Sequence, residues 1–329
     1  MKSSWCAAAL FAALLAVCPA AGAAKLHPEL SAGLGFMAGD AAFEIGRIVD
    51  SATGREVIPF PISRLEYPLD MVMGTVRGDL AVGDRWSFHL EGRKNIYERD
   101  LPAKDSDWVY FQGVQITPPL IYSETEVEID AWQAEGGGRF VFYRGYQKGW
   151  DSLYGRKPNI RWSFGAGLGY RYLDISYDES NLNQWYPLIP QLPADRVPGA
   201  VAVYELREDI PYGELFMKVD HKERFSLEMS IGGSPFVHVE DKGNWLLRGL
   251  VFTMDSGWNG EAVLGEARAR YRITNHWFST LSAEFFQVTS KSVSNSFSPA
   301  TGHYSIDAET STNGWFVGLT AGYRFGATP

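Results

Sequence analysis

Apolar and polar residues alternate with a period of two along much of this chain. Segment 159–172, NIRWSFGAGLGYRY, shows the pattern most fully, with Arg161, Ser163 and Arg171 among its polar positions. The alternate positions are apolar and carry aromatic rings near both ends: Ile160, Trp162, Phe164, Ala166, Leu168, Tyr170 and Tyr172. This alternation predicts a β-strand with one apolar face. Rings at both ends of that face are typical of a strand that crosses a bilayer between two aromatic girdles.

The pattern recurs in 85–93 (RWSFHLEGR), 224–232 (RFSLEMSIG) and 314–325 (GWFVGLTAGYRF). Two further strands have heavily charged polar faces: Glu124, Glu126, Glu128 and Asp130 on one, Glu266, Arg268, Arg270 and Arg272 on the other. A soluble sandwich also alternates, but charges can pair across a closed lumen and are costly on lipid-facing positions. The sequence therefore predicts an all-β fold, a transmembrane antiparallel β-barrel.

The connections between these strands differ in length. Short ones such as DLAVGD, DHKE and ITNH alternate with long polar segments at 40–63, 97–121, 178–203, 238–258 and 289–312. Short periplasmic turns opposite long external loops are typical of outer-membrane barrels, and this alternation predicts about ten strands with both termini periplasmic. Residues 134–158 are too long for a turn and are interpreted as a periplasmic insertion or an extra hairpin, which would make twelve strands.

The first residues indicate the compartment. Lys2, the apolar run 7–17 and the small residues 21–23 have the order of a secretory signal peptide. We therefore expect a signal peptide at 1–23, a barrel at 24–329 and a location in the bacterial outer membrane. Both cysteines, Cys6 and Cys18, lie in the removable part, which excludes thiol chemistry in the mature chain. The net charge of −9 makes nucleic acid a poor partner.

The segment 104–108, KDSDW, is the first candidate for chemistry. Asp105 and Asp107 stand one residue apart, and two neighbouring carboxylates can share a proton or hold a nucleophilic water. A solvated polar loop would contain the same residues. The pair becomes a site only if suitable groups face it.

Four stretches resemble the omptin family of ten-stranded outer-membrane proteases: 63–70 (SRLEYPLD), 105–108 (DSDW), 204–212 (YELREDIPY) and 313–325 (NGWFVGLTAGYRF). The resemblance implies that Asp105 and Asp107 are one half of a catalytic set that holds an attacking water. The other half would be an Asp-x-His pair in the fourth loop, which here contains Asp241 but no such pair. Gly243 stands two residues after Asp241, where a His would complete such a pair, and Trp245 stands about where the His of the family is expected.

Water attack on a peptide needs a base that titrates near neutral pH. His238 is the candidate in this region, although it precedes the acids. A peptidase would therefore use Asp105, Asp107 and Asp241, with His238 as a substitute base.

The resemblance also implies contact with lipopolysaccharide, as a structural or activating lipid. Arg207 and Tyr170 match family positions that bind it, whereas Tyr172 and Asp174 depart from the family pattern. The other expected partners are outer-membrane lipids and the outer-membrane assembly machinery. No cofactor is predicted, and no metal site, because the histidines show no ligand spacing.

Three functions remain open. The first is a non-proteolytic barrel that serves as a narrow porin, adhesin or envelope-structure protein, in which case it resembles the Protochlamydia outer membrane protein family, whose members are regarded as porins. The second is an omptin-like endopeptidase. The third is a lipopolysaccharide-associated binding protein.

Overall fold

The structure is a computed structural model that describes residues 26–51, 54–111, 114–146, 160–222, 224–300 and 302–326. The expected signal peptide at 1–23 lies outside these ranges. Within them, no helix is long and apolar enough to span a membrane.

The described residues form β-strands, numbered in chain order. They are β1 (Leu26–Ser51), β2 (Gly54–Pro68), β3 (Met71–Val82), β4 (Trp86–Glu98), β5 (Ala103–Asp107), β6 (Tyr110–Phe111), β7 (Val114–Gln115), β8 (Ile121–Tyr146), β9 (Ile160–Trp185), β10 (Asp195–His221), β11 (Phe225–Trp245), β12 (Leu250–Asp255), β13 (Gly260–Arg272), β14 (Trp277–Ser298) and β15 (Gly302–Arg324). β6 and β7 form a small separate hairpin.

The other strands build one antiparallel sheet. β2 and β3 lie end to end and together occupy one strand position of the barrel, and the same holds for β4 with β5 and for β12 with β13. The described ranges therefore make a ring of about ten strands. β15 pairs with both β14 and β1. Its pairing with β1 runs from Glu29 opposite Arg324 to Ser51 opposite Tyr304, with one register shift between Gly46 and Val49. The ring is therefore closed, and the predicted all-β antiparallel barrel is confirmed.

The two faces of the wall differ as the alternation predicts. On β9, Leu168 points outward and is 76% exposed, whereas Arg171 points inward and is buried. Outward apolar side chains form a belt, and we take the segments that carry it as membrane-spanning: 26–38, 71–82, 86–97, 132–146, 160–172, 211–221, 225–236, 261–272, 277–287 and 315–325. The turns at 83–85, 222–224 and 273–276 lie at one end of the barrel, the turn end, and the opposite end is the loop end.

The strands continue well past the belt at the loop end, which corrects the predicted long loops. β9 extends to Trp185 and β10 begins at Asp195, so most of 178–203 is strand. These extensions lie outside the bilayer. Strands can pair there without an apolar face, so their sequence lacks the alternation that marks the strands of the belt. For the same reason the acidic positions of β8, such as Glu126 and Glu128, face outward into solvent and do not line the lumen.

Residues 134–146 are also part of the barrel. Gly136, Gly137 and Gly138 interrupt the side-chain alternation, but their backbones pair with β4 and β9 in continuous register. β8 thus continues to Tyr146. The predicted insertion or extra hairpin is therefore wrong for residues 134–146. Residues 147–159 lie outside the described ranges.

Two layers of inward side chains fill the barrel. Towards the loop end lies an aromatic plug, formed by Phe43, Tyr67, Tyr177, Tyr204 and Phe252. In the plug, Tyr67 stacks on Tyr204 with centroids 4.3 Å apart, and Phe43 stacks on Phe252 at 4.8 Å.

The second layer lies on the turn-end side of the plug and is a lumen network of ion pairs: Arg77, Glu91, Arg93, Glu135, Arg139, Arg171, Glu214, Glu228, Glu266, Arg268 and Glu284. Most of these side chains are buried, and each described member pairs across the lumen or along the wall. Their charges are therefore satisfied inside the barrel without bulk water.

Candidate functional site

The acid pair lies on a strand, which corrects the interpretation of this segment as a loop. β5 is held between β2 and β8, with Asp105 opposite Leu65 and Ser123, and Asp107 opposite Ser63 and Ile121. Because strand side chains alternate, both carboxylates project to the same inward face. Their positions are therefore fixed by the sheet, at the loop end beyond the belt.

The two carboxyl groups influence each other. The Ser63 hydroxyl donates to Asp105 Oδ1 over 3.4 Å. Burial, together with the neighbouring Asp107, raises the pKa of Asp105 to about 8. Burial also raises the pKa of Asp107, with the Ser63 hydroxyl and the Arg248 cation opposing the shift. At neutral pH the pair thus retains a proton, as expected for two carboxyl groups in a poorly solvated place.

A small cavity adjoins the pair. Its volume is about 50 Å³, and its lining includes Asp105, Glu179, Tyr67, Trp245 and Arg248. Glu179 accepts hydrogen bonds from Tyr67 and Thr125, each 2.8 Å long. The Arg248 guanidinium lies 5.1 Å from the Trp245 ring centroid. The cavity therefore has room for water beside Asp105.

The strand that would carry the second half of an omptin site is β11. Its inward positions here are Asp241, Gly243 and Trp245. A Cβ atom on Gly243 would lie 2.0 Å from Cε1 of Phe252, so the ring of the plug occupies the space of any larger side chain. The carboxyl groups of Asp105 and Asp107 therefore have neither an acid at position 243 nor a base at position 245 to complete an omptin-like site.

Asp241 projects into the barrel, where it is buried. Its carboxylate accepts hydrogen bonds from the Tyr204 and Thr310 hydroxyls, the latter over 2.5 Å. Burial raises the pKa of Asp241 to about 6. Asp241 is therefore tied to the aromatic plug.

His238 lies on the opposite face of β11 from Asp241, three residues away. Its Nδ1 is 3.3 Å from Asp209 and its Nε2 is 2.9 Å from Asp255, both on the outer wall. Burial tends to lower the pKa of His238, but the hydrogen bonds to Asp209 and Asp255 raise it overall. The structure thus does not bring His238 together with Asp105, Asp107 and Asp241.

His238, Glu240 and Asp255 form a group that sequence spacing did not reveal. One ligand atom of each lies within 4.8 Å of the others, close enough to hold a metal ion. The prediction of no metal site considered spacing along the chain, whereas Asp255 lies on β12, the strand paired with this part of β11. Neighbouring strands can therefore assemble ligands that are far apart in sequence.

Arg207 and Tyr170, the predicted lipopolysaccharide contacts, share this outer face. The Arg207 guanidinium is 3.3 Å from Asp174, 3.7 Å from Glu205 and 4.0 Å from Glu240. Tyr170 donates its hydroxyl hydrogen to Asp209. The surroundings of the two residues are acidic, which is a poor setting for a phosphate.

Comparison with known proteins supports this architecture. No protein-family model matches the chain, and no curated protein matches it in sequence. Among solved structures, the chain is similar to the outer membrane protease OmpT from Escherichia coli, with a TM-score of 0.71 and 14% identity over 91% of this chain and 97% of that one. The fold is that of an omptin-like outer-membrane β-barrel.

Two smaller likenesses are to OprG from Pseudomonas aeruginosa and to Ail from Yersinia pestis. OprG is 10% identical over 92% of this chain and 97% of that one, with a TM-score of 0.38. Ail is 8% identical over 92% and 99%, with a TM-score of 0.28. At 14% identity the likeness to OmpT concerns the fold alone, so function has to be argued from the residues of this chain.

Proposed function

We propose that this protein is an outer-membrane barrel that neither cleaves peptides nor conducts, and that its loop end serves adhesion or envelope structure. One observation carries the proposal: β11 presents Gly243 under the Phe252 ring, and then Trp245, where a peptidase would need an acid and a base. The acid pair keeps a proton of its own, and the residues that line the cavity beside it include no histidine to serve as the base of an omptin-like site.

The filled interior argues against a porin. The aromatic plug and the lumen network lie in series along the axis, and most of their side chains are buried. A narrow pore would need a continuous polar path wide enough for a hydrated ion.

The loop end supports a binding or structural role. Its tips expose apolar side chains: Val57, Phe111, Val114, Ile189, Leu192, Leu246 and Leu247. Apolar side chains exposed at these tips are available for contact with a partner. Contact with lipopolysaccharide through Arg207 and Tyr170 is kept as a proposal although Asp174, Glu205 and Glu240 surround Arg207. Weaker lipopolysaccharide binding by Arg207→Gln than by the wild type would support it, and equal binding would contradict it.

The decisive experiment is a search for peptide cleavage. The mature protein, refolded with lipopolysaccharide, would be incubated with a mixed peptide library beside Asp107→Ala, and products would be identified by mass spectrometry. We expect no fragments from either protein. Fragments that appear with the wild type and vanish with Asp107→Ala would show a working peptidase and overturn the proposal.

Adhesion would be measured separately, on non-adherent cells that display the barrel. Leu246→Ser with Leu247→Ser should reduce attachment to a partner surface, because it removes two exposed apolar side chains. The matched control is Lys242→Gln, which alters the same region without changing its apolar surface.

A further inference from the structure

An imidazole and two carboxylates converge on the outer wall of the barrel, at the loop end just beyond the belt. His238 and Glu240 are two residues apart on β11, so both side chains project from the outward face of this strand. Asp255 lies directly opposite Glu240 on β12. Strand register therefore assembles a group whose members lie up to 17 positions apart in the chain.

The separations within this group suit a single metal ion. His238 Nε2 lies 2.9 Å from Asp255 Oδ1 and 3.8 Å from Glu240 Oε1. Two ligands of one zinc ion, each about 2.1 Å from it, can be at most about 4.2 Å apart. One ligand atom of each of the three residues lies within 4.8 Å of the others. Closing the group around an ion therefore needs at most a small rotation of Glu240, whose side chain is 47% exposed.

A fourth residue orients the imidazole for metal binding. Asp209 lies opposite His238 on β10, and its carboxylate is 3.3 Å from Nδ1. When Nδ1 donates its hydrogen to Asp209, Nε2 directs its lone pair towards Asp255 and Glu240. Such an arrangement is favourable only with a cation between the nitrogen and the carboxylates. A carboxylate behind a histidine is also the usual outer partner of a metal-bound imidazole.

Contacts with the chain that follows β12 hold two of the ligands in place. The Gly257 backbone N–H donates to Asp255 Oδ1 over 2.7 Å. The Trp258 ring packs against the His238 ring, with centroids 5.4 Å apart. Ligands that are already ordered lose less conformational freedom when they bind an ion.

The surrounding charges favour a cation. Glu240, Asp255 and Asp209 supply three carboxylates at this place. Arg207 is the cation beside them, 4.0 Å from Glu240, and it also pairs with Asp174 at 3.3 Å. The balance around His238 is therefore negative, which complements an ion of charge +2.

We infer that His238, Glu240 and Asp255 form a binding site for one divalent transition-metal ion, with zinc as the best fit. Zinc accepts imidazole nitrogen together with carboxylate oxygen, whereas calcium and magnesium are bound by oxygen ligands. Three protein ligands leave a further coordination position for water. The site is separate from the acid pair on β5, and the inference does not depend on the proposed adhesive or structural role.

Binding would be measured by calorimetric titration with zinc chloride. The full mature chain would be refolded in an uncharged detergent, and bound metal would be removed beforehand with a chelator. We expect one zinc ion per chain. His238→Gln should weaken binding about 100-fold or more, because loss of an outer partner alone typically costs about 10- to 100-fold. Asp209→Asn should weaken it about tenfold, as for a residue that orients the imidazole.

The matched control is His303→Gln, which removes another loop-end histidine, one that packs against Phe297 on a different part of the wall. Its zinc affinity should equal that of the wild type. The shift in gel mobility between folded and unfolded barrels would confirm that each variant is folded.

A second measurement identifies the ligand directly. With copper(II) in place of zinc, the electron paramagnetic resonance spectrum should show coupling to an imidazole nitrogen in the wild type, Asp209→Asn and His303→Gln. This coupling should be absent from His238→Gln. No zinc binding, equal losses of affinity in His238→Gln and His303→Gln, or nitrogen coupling that persists in His238→Gln would overturn the inference.

Discussion

Arg93 offers the sharpest test of how the barrel is held together. Its Nε donates to Glu91 over 2.6 Å, and its Nη1 donates to Glu284 over 3.0 Å. Its guanidinium also lies 4.0 Å from the Phe316 ring centroid. The side chains of Arg93 and Glu284 are 3% and 2% exposed, so the pair has almost no access to water. Arg93→Met would remove the charge and keep much of the volume.

The loss of stability in Arg93→Met depends on the ion pairs that Glu91 and Glu284 keep. Glu91 keeps Arg77 at 3.0 Å and Glu284 keeps Arg171 at 3.2 Å, so neither carboxylate is left wholly unpaired. Removing one partner of a buried pair costs 3–5 kcal/mol, and we expect the lower end, about 3 kcal/mol. The double variant Arg93→Met with Glu284→Met leaves no uncompensated charge at this point and should recover much of that loss.

Lys94 provides the matched control on the next residue. It pairs with Asp130 on the outside of the barrel at the loop-end edge of the belt, where the two side chains are 53% and 73% exposed. Exposed pairs contribute at most about 1 kcal/mol, so Lys94→Met should have little effect.

The assay is urea unfolding in micelles, followed by tryptophan fluorescence and by the shift in gel mobility between folded and unfolded barrels. A loss below about 1 kcal/mol for Arg93→Met, or a double variant no more stable than the single one, would refute the view that buried ion pairing holds the lumen.

Three further outcomes are expected. The pKa of Asp105 is raised to about 8 in the folded protein, so its contribution to stability is complete below its ordinary value of 3.8 and is lost as pH rises through about 8. Asp105→Asn should therefore resist urea better than the wild type at pH 8, with a gap that closes towards pH 4; a gap independent of pH would contradict this. Gly243→Asp should destabilise by about 1–3 kcal/mol, because its Cβ meets the Phe252 ring, and Gly243→Asp with Trp245→His should still cleave no peptide in the library assay. In planar bilayers the wild type should show no steady conductance, and stable current steps that disappear in Arg93→Met would instead indicate a pore through the lumen network.

Much of the fold could be predicted from sequence because side-chain alternation reports directly on which face meets lipid. The inward position of Arg171 and the outward position of Leu168 follow from that period alone. The ends of the strands could not be found in this way. Beyond the bilayer both faces can be polar, so the extension of β10 from Asp195 has the composition of a loop.

The candidate site was predictable only in part. The alternation puts Asp105 and Asp107 on one face, as the structure shows, but it says nothing about which residue of another strand faces them. His238 and Asp241 differ by an odd number of positions, and this is enough to place them on opposite faces of β11. The role of Phe252 above Gly243 depends on strand register, which no local pattern specifies.

The pairing of β1 with β15 has a consequence for the order of folding. The Arg324 and Glu29 side chains that meet there are separated by 295 positions in the chain. Contacts of such long range are slow to form, because the intervening chain loses conformational freedom before the contact stabilises anything. Until this seam closes, β1 and β15 each present an unpaired edge that can join a strand of another molecule. The interval between synthesis and closure is thus the period in which the chain is most exposed to aggregation.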